Sequence, residues 1–434
     1  LKIKFLNKSW LQAEGLSATS VSTVFFAILL VVSMICSPFL LSVSMWGFVA
    51  VALWHTASGQ PAADRRRVAG WLMILAVSFR RFFRNTPLVL MALLFAVPAM
   101  SFFWSSDQHY WLERTRVRLP FFVMAWAFAN LPALTRRQYS LVLYILVWAL
   151  TLIALGVTIN FALHFDTILK GLGEGRSIPV PRSHIRFSLI TATGILAGAW
   201  LWVEGFYWKW RRERPVLAGA VIFLFLFIHI LSVRSGIAGV YALVFFTIAW
   251  YGLQTRRWKT GLIAFVLAVF LPVAAINLIP SFRLKVDYTL WDWQQYRQNA
   301  GNHYSDSERW VSLLAGWQIW RENPLLGAGA GDVPAEVQRV VKQHYPDYMD
   351  APKLPHNQFV YILAGTGLLG LTLSLVAFLA PLIMGQYRRF YLFSAFQMLV
   401  FMSFLVEYTI ETAIGVSFYL FYTLWFMKMS AQKS

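Results

Sequence analysis

The sequence predicts an all-α, polytopic membrane protein of about 12 transmembrane helices, with one large helical loop, residues 280–355, between spans nine and ten. Three observations predict it. The chain has 434 residues, 58% of them hydrophobic and 13% charged, with a mean hydropathy of +0.58, a balance that no ordinary soluble domain carries. About twelve apolar runs approach the roughly 20 residues that a bilayer-spanning helix needs. Tandem arginines recur in alternate connections between those runs, as charges retained on one side of a membrane do.

The basic opening, LKIKFLNKSW, shows no cleavage site, so the first run, 18–36, is expected to stay in the membrane as a signal anchor. A second span is expected at 38–55. The stretch Ala69 to Phe83, AGWLMILAVSFRRFF, is too short to cross and is read as a helix lying in the interface. Spans follow at 86–104, 119–134, 139–165, 187–205, 215–233, 236–253 and 260–279, and then at 357–384, 391–409 and 412–428. In this register Arg65-Arg66-Arg67, Arg80-Arg81, Arg136-Arg137, Arg211-Arg212, Arg256-Arg257 and Arg388-Arg389 share one side, which the positive-inside rule makes cytoplasmic. Both termini are then cytoplasmic, and the 280–355 loop faces outward. Nearly all of the net charge of +19 is topogenic on this reading, so no nucleic-acid partner is needed to explain it. Cys36, alone in its type, can form neither an intramolecular disulfide nor a cysteine metal site. Residues 1–434 are read as a single integral membrane domain, with the 280–355 loop contributing to its active site.

Within the loop, Ser305 to Asn323 (SDSERWVSLLAGWQIWREN) reads as an amphipathic helix with Ser305 or Ser307 as N-cap and Asn323-Pro324 as its stop. Trp310, Leu313, Leu314, Trp317 and Trp320 repeat at helical spacing as its apolar face, with Arg309, Ser312 and Gly316 on another. The glycine-rich PLLGAGAGDVP, Pro324 to Pro334, follows no strand and precedes no Walker lysine, which favours a structural turn over a phosphate cradle. A second helix is expected at Val333 to Gln343. Arg182, Arg186 and Arg234 fall at or near outer span ends, and Arg309 opens the loop helix.

Outward-facing chemistry has no access to cytoplasmic nucleotides, and the chain has neither a P-loop nor an Asp-x-Asp pair. An activated donor would arrive in the membrane, typically a glycan on a polyprenyl pyrophosphate. Arginines can hold such a leaving group through paired, charge-assisted hydrogen bonds without a metal or other cofactor. The complementary requirement is a base for an incoming hydroxyl, a role suited to histidine. His356 sits after Pro355 at the mouth of a span; His164, His184, His303 and His344 share its side. Asp107 and Glu113 offer a carboxylate alternative in the first outer loop. No set of outer His, Asp and Glu residues has metal-ligand spacing.

The pattern around His356 narrows these options. His356-Asn357, nine residues and then Gly367-Leu368-Leu369-Gly370 resemble the signature of the O-antigen ligases, and Gly365, Gly367 and Gly370 are small residues suited to close helix packing. Upstream, RWVSLLAGWQIWRENPLLGAGAG, Arg309 to Gly331, is similar to the wider ligase and polymerase family. Arg234-Ser-Gly-Ile-Ala238 stands in for the R-x-x-x-L motif, with Ala where Leu is usual. The resemblance implies a bacterial inner-membrane enzyme that moves a preassembled glycan from undecaprenyl pyrophosphate to a lipid A-core hydroxyl on the periplasmic face, with inversion. It implies His356 as base, Arg309, Arg234, Arg186 and Arg182 around the pyrophosphate, and Asn357, Gly367 and Gly370 in support. An O-antigen polymerase or a protein O-oligosaccharyltransferase would use the same donor. A polytopic lipid or glycan transporter would also fit the spans, although neither paired repeats nor mid-membrane charges are evident.

Overall fold

A computed structural model describes residues 17–60, 68–298, 300–301, 304–348 and 352–432. The opening LKIKFLNKSW, Arg65-Arg66-Arg67 and His303 lie outside them. The described chain is helical, with no strand, as expected. Nine helices among the described residues are long and apolar enough to cross a membrane. They are α1 (Ala18–Cys36), α2 (Pro38–Ser58), α4 (Thr86–Phe103), α7 (Arg136–Leu163), α9 (His184–Val203), α10 (Glu213–Leu231), α11 (Arg234–Thr255), α12 (Trp258–Leu278) and α16 (Gln358–Ile383). The short α3 (Val68–Phe83) fills the place expected of an interfacial helix.

Three other expected spans are helical but fall short of that standard: α6 (Pro120–Asn130), α17 (Tyr391–Val406) and α18 (Ala413–Ser430). Burial gives the physical reason for α18. Tyr419, Tyr422 and Trp425 are fully enclosed, so this helix faces protein and can carry aromatic and hydroxyl side chains that a lipid-facing helix would avoid. At the opposite extreme α12 is 17% buried along its apolar window, against 78% for α9, and turns Leu262, Ile263 and Phe270 outward.

Local sequence sets the boundaries. Ser37 ends α1 and, with Pro38 in the first turn, starts α2, its hydroxyl accepting from the Leu40 N–H. Thr135 and Gln138 form a capping box at the start of α7. The loop holds three helices, α13 (Pro280–Arg297), α14 (Ser305–Glu322) and α15 (Val333–His344). Two expectations for α14 are corrected. Neither Ser305 nor Ser307 caps it; buried Asp292 of α13 accepts from the Asp306 and Ser307 N–H groups at 2.8 and 3.1 Å and does that work from a neighbouring helix. The tryptophan stripe is not the buried face either, since Trp310 and Trp317 are 43% and 47% exposed while Val311, Ser312, Ala315, Gly316 and Ile319 are buried. Small residues win because α14 packs closely on α16. A Cβ at Gly316 would lie 2.7 Å from both Pro355 and Val360.

Candidate active site

His356 is held where α14, α16 and the connection 407–412 meet. Asn357 caps α16, its Oδ1 accepting from the Phe359 and Val360 N–H groups at 2.9 and 3.1 Å, while its Nδ2 donates to the Leu405 carbonyl at 2.9 Å. Buried Gln358 reaches the same connection: its Oε1 accepts from the Ile410 N–H and its Nε2 donates to Glu411. The His356 N–H donates to Ser312 Oγ at 3.3 Å. Three consecutive residues are thus fixed to neighbouring elements by their own hydrogen bonds.

The ligase-like glycines serve this junction differently from helix packing alone. Gly367 has φ +64 and interrupts α16, and the turn after α14 inserts at the break. Leu368 and Leu369 donate to the Pro324 and Leu325 carbonyls at 2.8 and 3.1 Å, and Ala328 and Gly329 donate to those of Ala364 and Gly365 at 2.8 and 2.9 Å. A Cβ at Gly367 would fall 2.3 Å from the Leu325 oxygen, and one at Gly370 would fall 1.9 Å from Thr366 Oγ1. The PLLGAGAG segment is therefore a structural turn, docked backbone to backbone on α16.

His356 Nδ1 lies 3.2 Å from Glu407 Oε2, and Arg309 Nη2 lies 3.1 Å from Glu407 Oε1. Glu407 is 3% exposed. Burial would raise its pKa, but the hydrogen bond from His356 and the charges of Arg309 and Arg186 outweigh that and hold it below the ordinary carboxylate value. With the carboxylate accepting from Nδ1–H, the imidazole has its Nε2 lone pair free, the form a base requires. Tyr408 packs edge-on to the imidazole at 4.9 Å.

Arg309 also lines a neighbouring cavity of about 270 Å³, together with Arg234, Arg176, Lys285, Lys353 and His184. Among the described residues no Asp or Glu lines it. Burial, reinforced by Arg234 and Arg309 and opposed by Asp306 and Asp292, holds the Lys285 amine below its usual pKa. Arg234 is oriented by an ion pair with Asp306. Arg186 is buried with its Nη1 unpartnered, and Arg309 Nε is likewise buried without an acceptor.

The structure thus gathers His356, Arg309 and Arg186 around Glu407, and Arg234 and Arg309 around the cavity. Arg182 is exposed in a left-handed conformation and lines no part of that cavity. Asp107 caps α5 (Gln108–Arg118), and Glu113 pairs with Arg114 at an exposed position. Glu407, Lys285 and Lys353 are the additions to the sequence reading. Among the described residues, no group of three or more His, Cys, Asp or Glu is arranged to hold a metal ion.

The fold is that of a multi-pass helical membrane protein, with polar chemistry concentrated at the entry of one helix. Residues 218–375 match the family model described as O-Antigen ligase, a likeness that covers this segment of the chain. That match supports a membrane glycosyltransferase of the ligase and polymerase type. The matched segment contains Arg234, Lys285, Arg309 and His356, whereas Arg186 and Glu407 lie beyond it. No curated protein matches the chain.

Proposed function

We propose that this protein is an O-antigen ligase, transferring a preassembled glycan from undecaprenyl pyrophosphate to a hydroxyl of the lipid A-core oligosaccharide. The observation that carries the reading is the continuity from His356 through Glu407 to Arg309, which opens directly on a cavity whose charged lining groups are, among the described residues, all basic. Arg234 and Arg309 disfavour the charge on Lys285 against the pull of Asp306 and Asp292, and a bound pyrophosphate would favour it.

In the proposed reaction His356 Nε2 takes the proton of the acceptor hydroxyl as its oxygen attacks the anomeric carbon. The bond from that carbon to the pyrophosphate oxygen breaks, and the electron pair leaves with undecaprenyl pyrophosphate. Direct displacement inverts the anomeric centre. Glu407 stabilises the imidazolium that forms, which then loses its proton to solvent. Arg309 and Arg234, with Lys285, take the growing charge of the leaving group, and buried Arg186 adds its field through Glu407. Arg182 contributes at most at the entrance, from its exposed position. These cations supply the positive charge a metal would, so transfer is expected to continue in chelator.

The side of the membrane is part of the proposal. His356 and the tandem Arg388-Arg389 flank opposite ends of α16, which supports an outward, periplasmic site with cytoplasmic termini in the bacterial inner membrane. The deciding experiment is lipopolysaccharide banding in cells lacking the protein. A ligase predicts loss of every long chain on lipid A while lipid-linked polymer accumulates. Retention of a single repeat on lipid A would identify a polymerase instead.

A further inference from the structure

At the far end of α16 the chain turns through Arg388 and Arg389 into α17. With 26 residues at about 1.5 Å each, α16 separates these arginines from His356 by roughly the thickness of a bilayer. Here α11, α16 and α17 enclose a groove of about 580 Å³. Phe246, Trp250, Leu382 and Phe401 give it apolar walls, and Arg388 and Arg389 stand exposed at one end. Among the described residues neither arginine has an acidic partner, unlike Arg234 and Arg309 at the opposite face.

Gln397 distinguishes this groove from an ordinary lipid-facing surface. It lines the groove but is only 2% exposed, and its Oε1 is buried with no hydrogen-bond partner, while its Nε2 donates to Thr423 Oγ1 at 3.0 Å. Exchanging the two amide positions lets the Thr423 hydroxyl donate to Oε1 and leaves the NH₂ as the unpartnered end of a groove-lining side chain. A buried amide beneath apolar walls, with two unpaired guanidinium groups beside them, matches a ligand that is apolar along its length and anionic at its head.

We propose that this groove binds an anionic phospholipid from the leaflet on the tandem-arginine side. An acyl chain lies against Phe246, Leu382 and Phe401, the phosphate meets Arg388 and Arg389, and an ester carbonyl near the head accepts from Gln397. A free phosphate would gain nothing from the apolar walls, and a zwitterionic lipid would draw less from the arginines. The site is independent of glycan transfer.

Native mass spectrometry of the full-length protein, released from micelles with phosphatidylglycerol and phosphatidylethanolamine at equal concentration, tests this. The wild type is expected to retain one phosphatidylglycerol with at least about tenfold preference, from roughly fivefold per basic residue near an anionic headgroup. Arg388→Gln with Arg389→Gln should bring the two lipids close to parity. Leu382→Trp, which fills the groove and leaves both charges, should lower retention of both. Equal retention of the two lipids by the wild type overturns the proposal and requires no variant to fold. Preferential retention of an added polyprenyl phosphate, or an unchanged preference in the double arginine variant, overturns it as well.

Discussion

Two buried carboxylates, Glu407 and Glu411, lie in one connection between α17 and α18 and are used in opposite ways. Glu411 is saturated: Arg118 approaches both its oxygens, Gln358 donates at 2.7 Å, and Arg114 holds its carbonyl at 3.0 Å. Arg118 and Glu411 are 4% and 2% exposed, and nothing in their arrangement asks for a further ligand. Glu407 is just as buried, yet its partners are a histidine and an arginine that opens on the cationic cavity. Its Oε1 faces Arg309 as an ion pair without hydrogen-bond alignment, and Arg186 nearby keeps one buried donor unpartnered. A carboxylate with both oxygens satisfied fixes structure, whereas one with an unsatisfied oxygen facing a cavity-lining arginine is placed to respond to a ligand.

The largest effect that separates the two belongs to the saturated pair. Arg118→Met leaves Glu411 buried and uncompensated, which should cost about 3–5 kcal/mol and show as lost expression and early thermal unfolding in detergent. His356→Ala should instead fold and bind lipid-linked glycan while transfer falls at least about 100-fold. An Arg118 variant with full stability, or a His356 variant with near wild-type transfer, would break the comparison. In the latter case Asp107 or Glu113 would become the next base to test.

Cation geometry sharpens the contrast at a smaller scale. Arg309→Lys and Arg234→Lys keep the charge but lose the planar fork, so each should reduce transfer about tenfold, with weaker donor binding. Arg182→Ala should change transfer little, because Arg182 is exposed and lines no part of the cavity. Single-turnover assays with purified protein distinguish these arginines. Comparable losses at Arg182 and Arg309 would mean that the pyrophosphate lies nearer the entrance than the cavity indicates.

The helical membrane fold was legible because apolar length and arginine placement are local properties of the chain. His356 stands out as a candidate because its Asn-Gly-Gly context lies within one segment, and the structure accounts for that context through the Asn357 cap and the break at Gly367. Glu407 does not. It lies 51 positions from His356 at the end of an apolar run, where a single acid resembles an ordinary span boundary. The face of α14 was misread because periodicity marks tryptophan as the burying residue, whereas the packing partner, the Pro355–Val360 entry, comes so close that glycine and serine must meet it. The cap of α14 failed for a related reason: Asp292 belongs to another helix, and spacing within α14 carries no sign of it.

A separate measurement, on stability rather than transfer, isolates the charge of Glu407. Its folded-state pKa is depressed below the ordinary carboxylate value, so the stability it contributes is fully present above that range and is lost as pH falls through the depressed folded value. Glu407→Gln removes the ionised contacts to His356 and Arg309 while keeping the shape, and should cost on the order of 1–3 kcal/mol near neutral pH. Thermal midpoints of the two proteins in detergent should therefore differ near neutral pH and converge only on acidification through the depressed carboxyl value, as the wild-type carboxyl takes up its proton. A gap that stays constant over this range would mean that Glu407 stabilises the fold through packing rather than charge. The His356–Glu407 contact would then resemble the saturated Arg118–Glu411 pair, and its part in orienting the imidazole would fall with it.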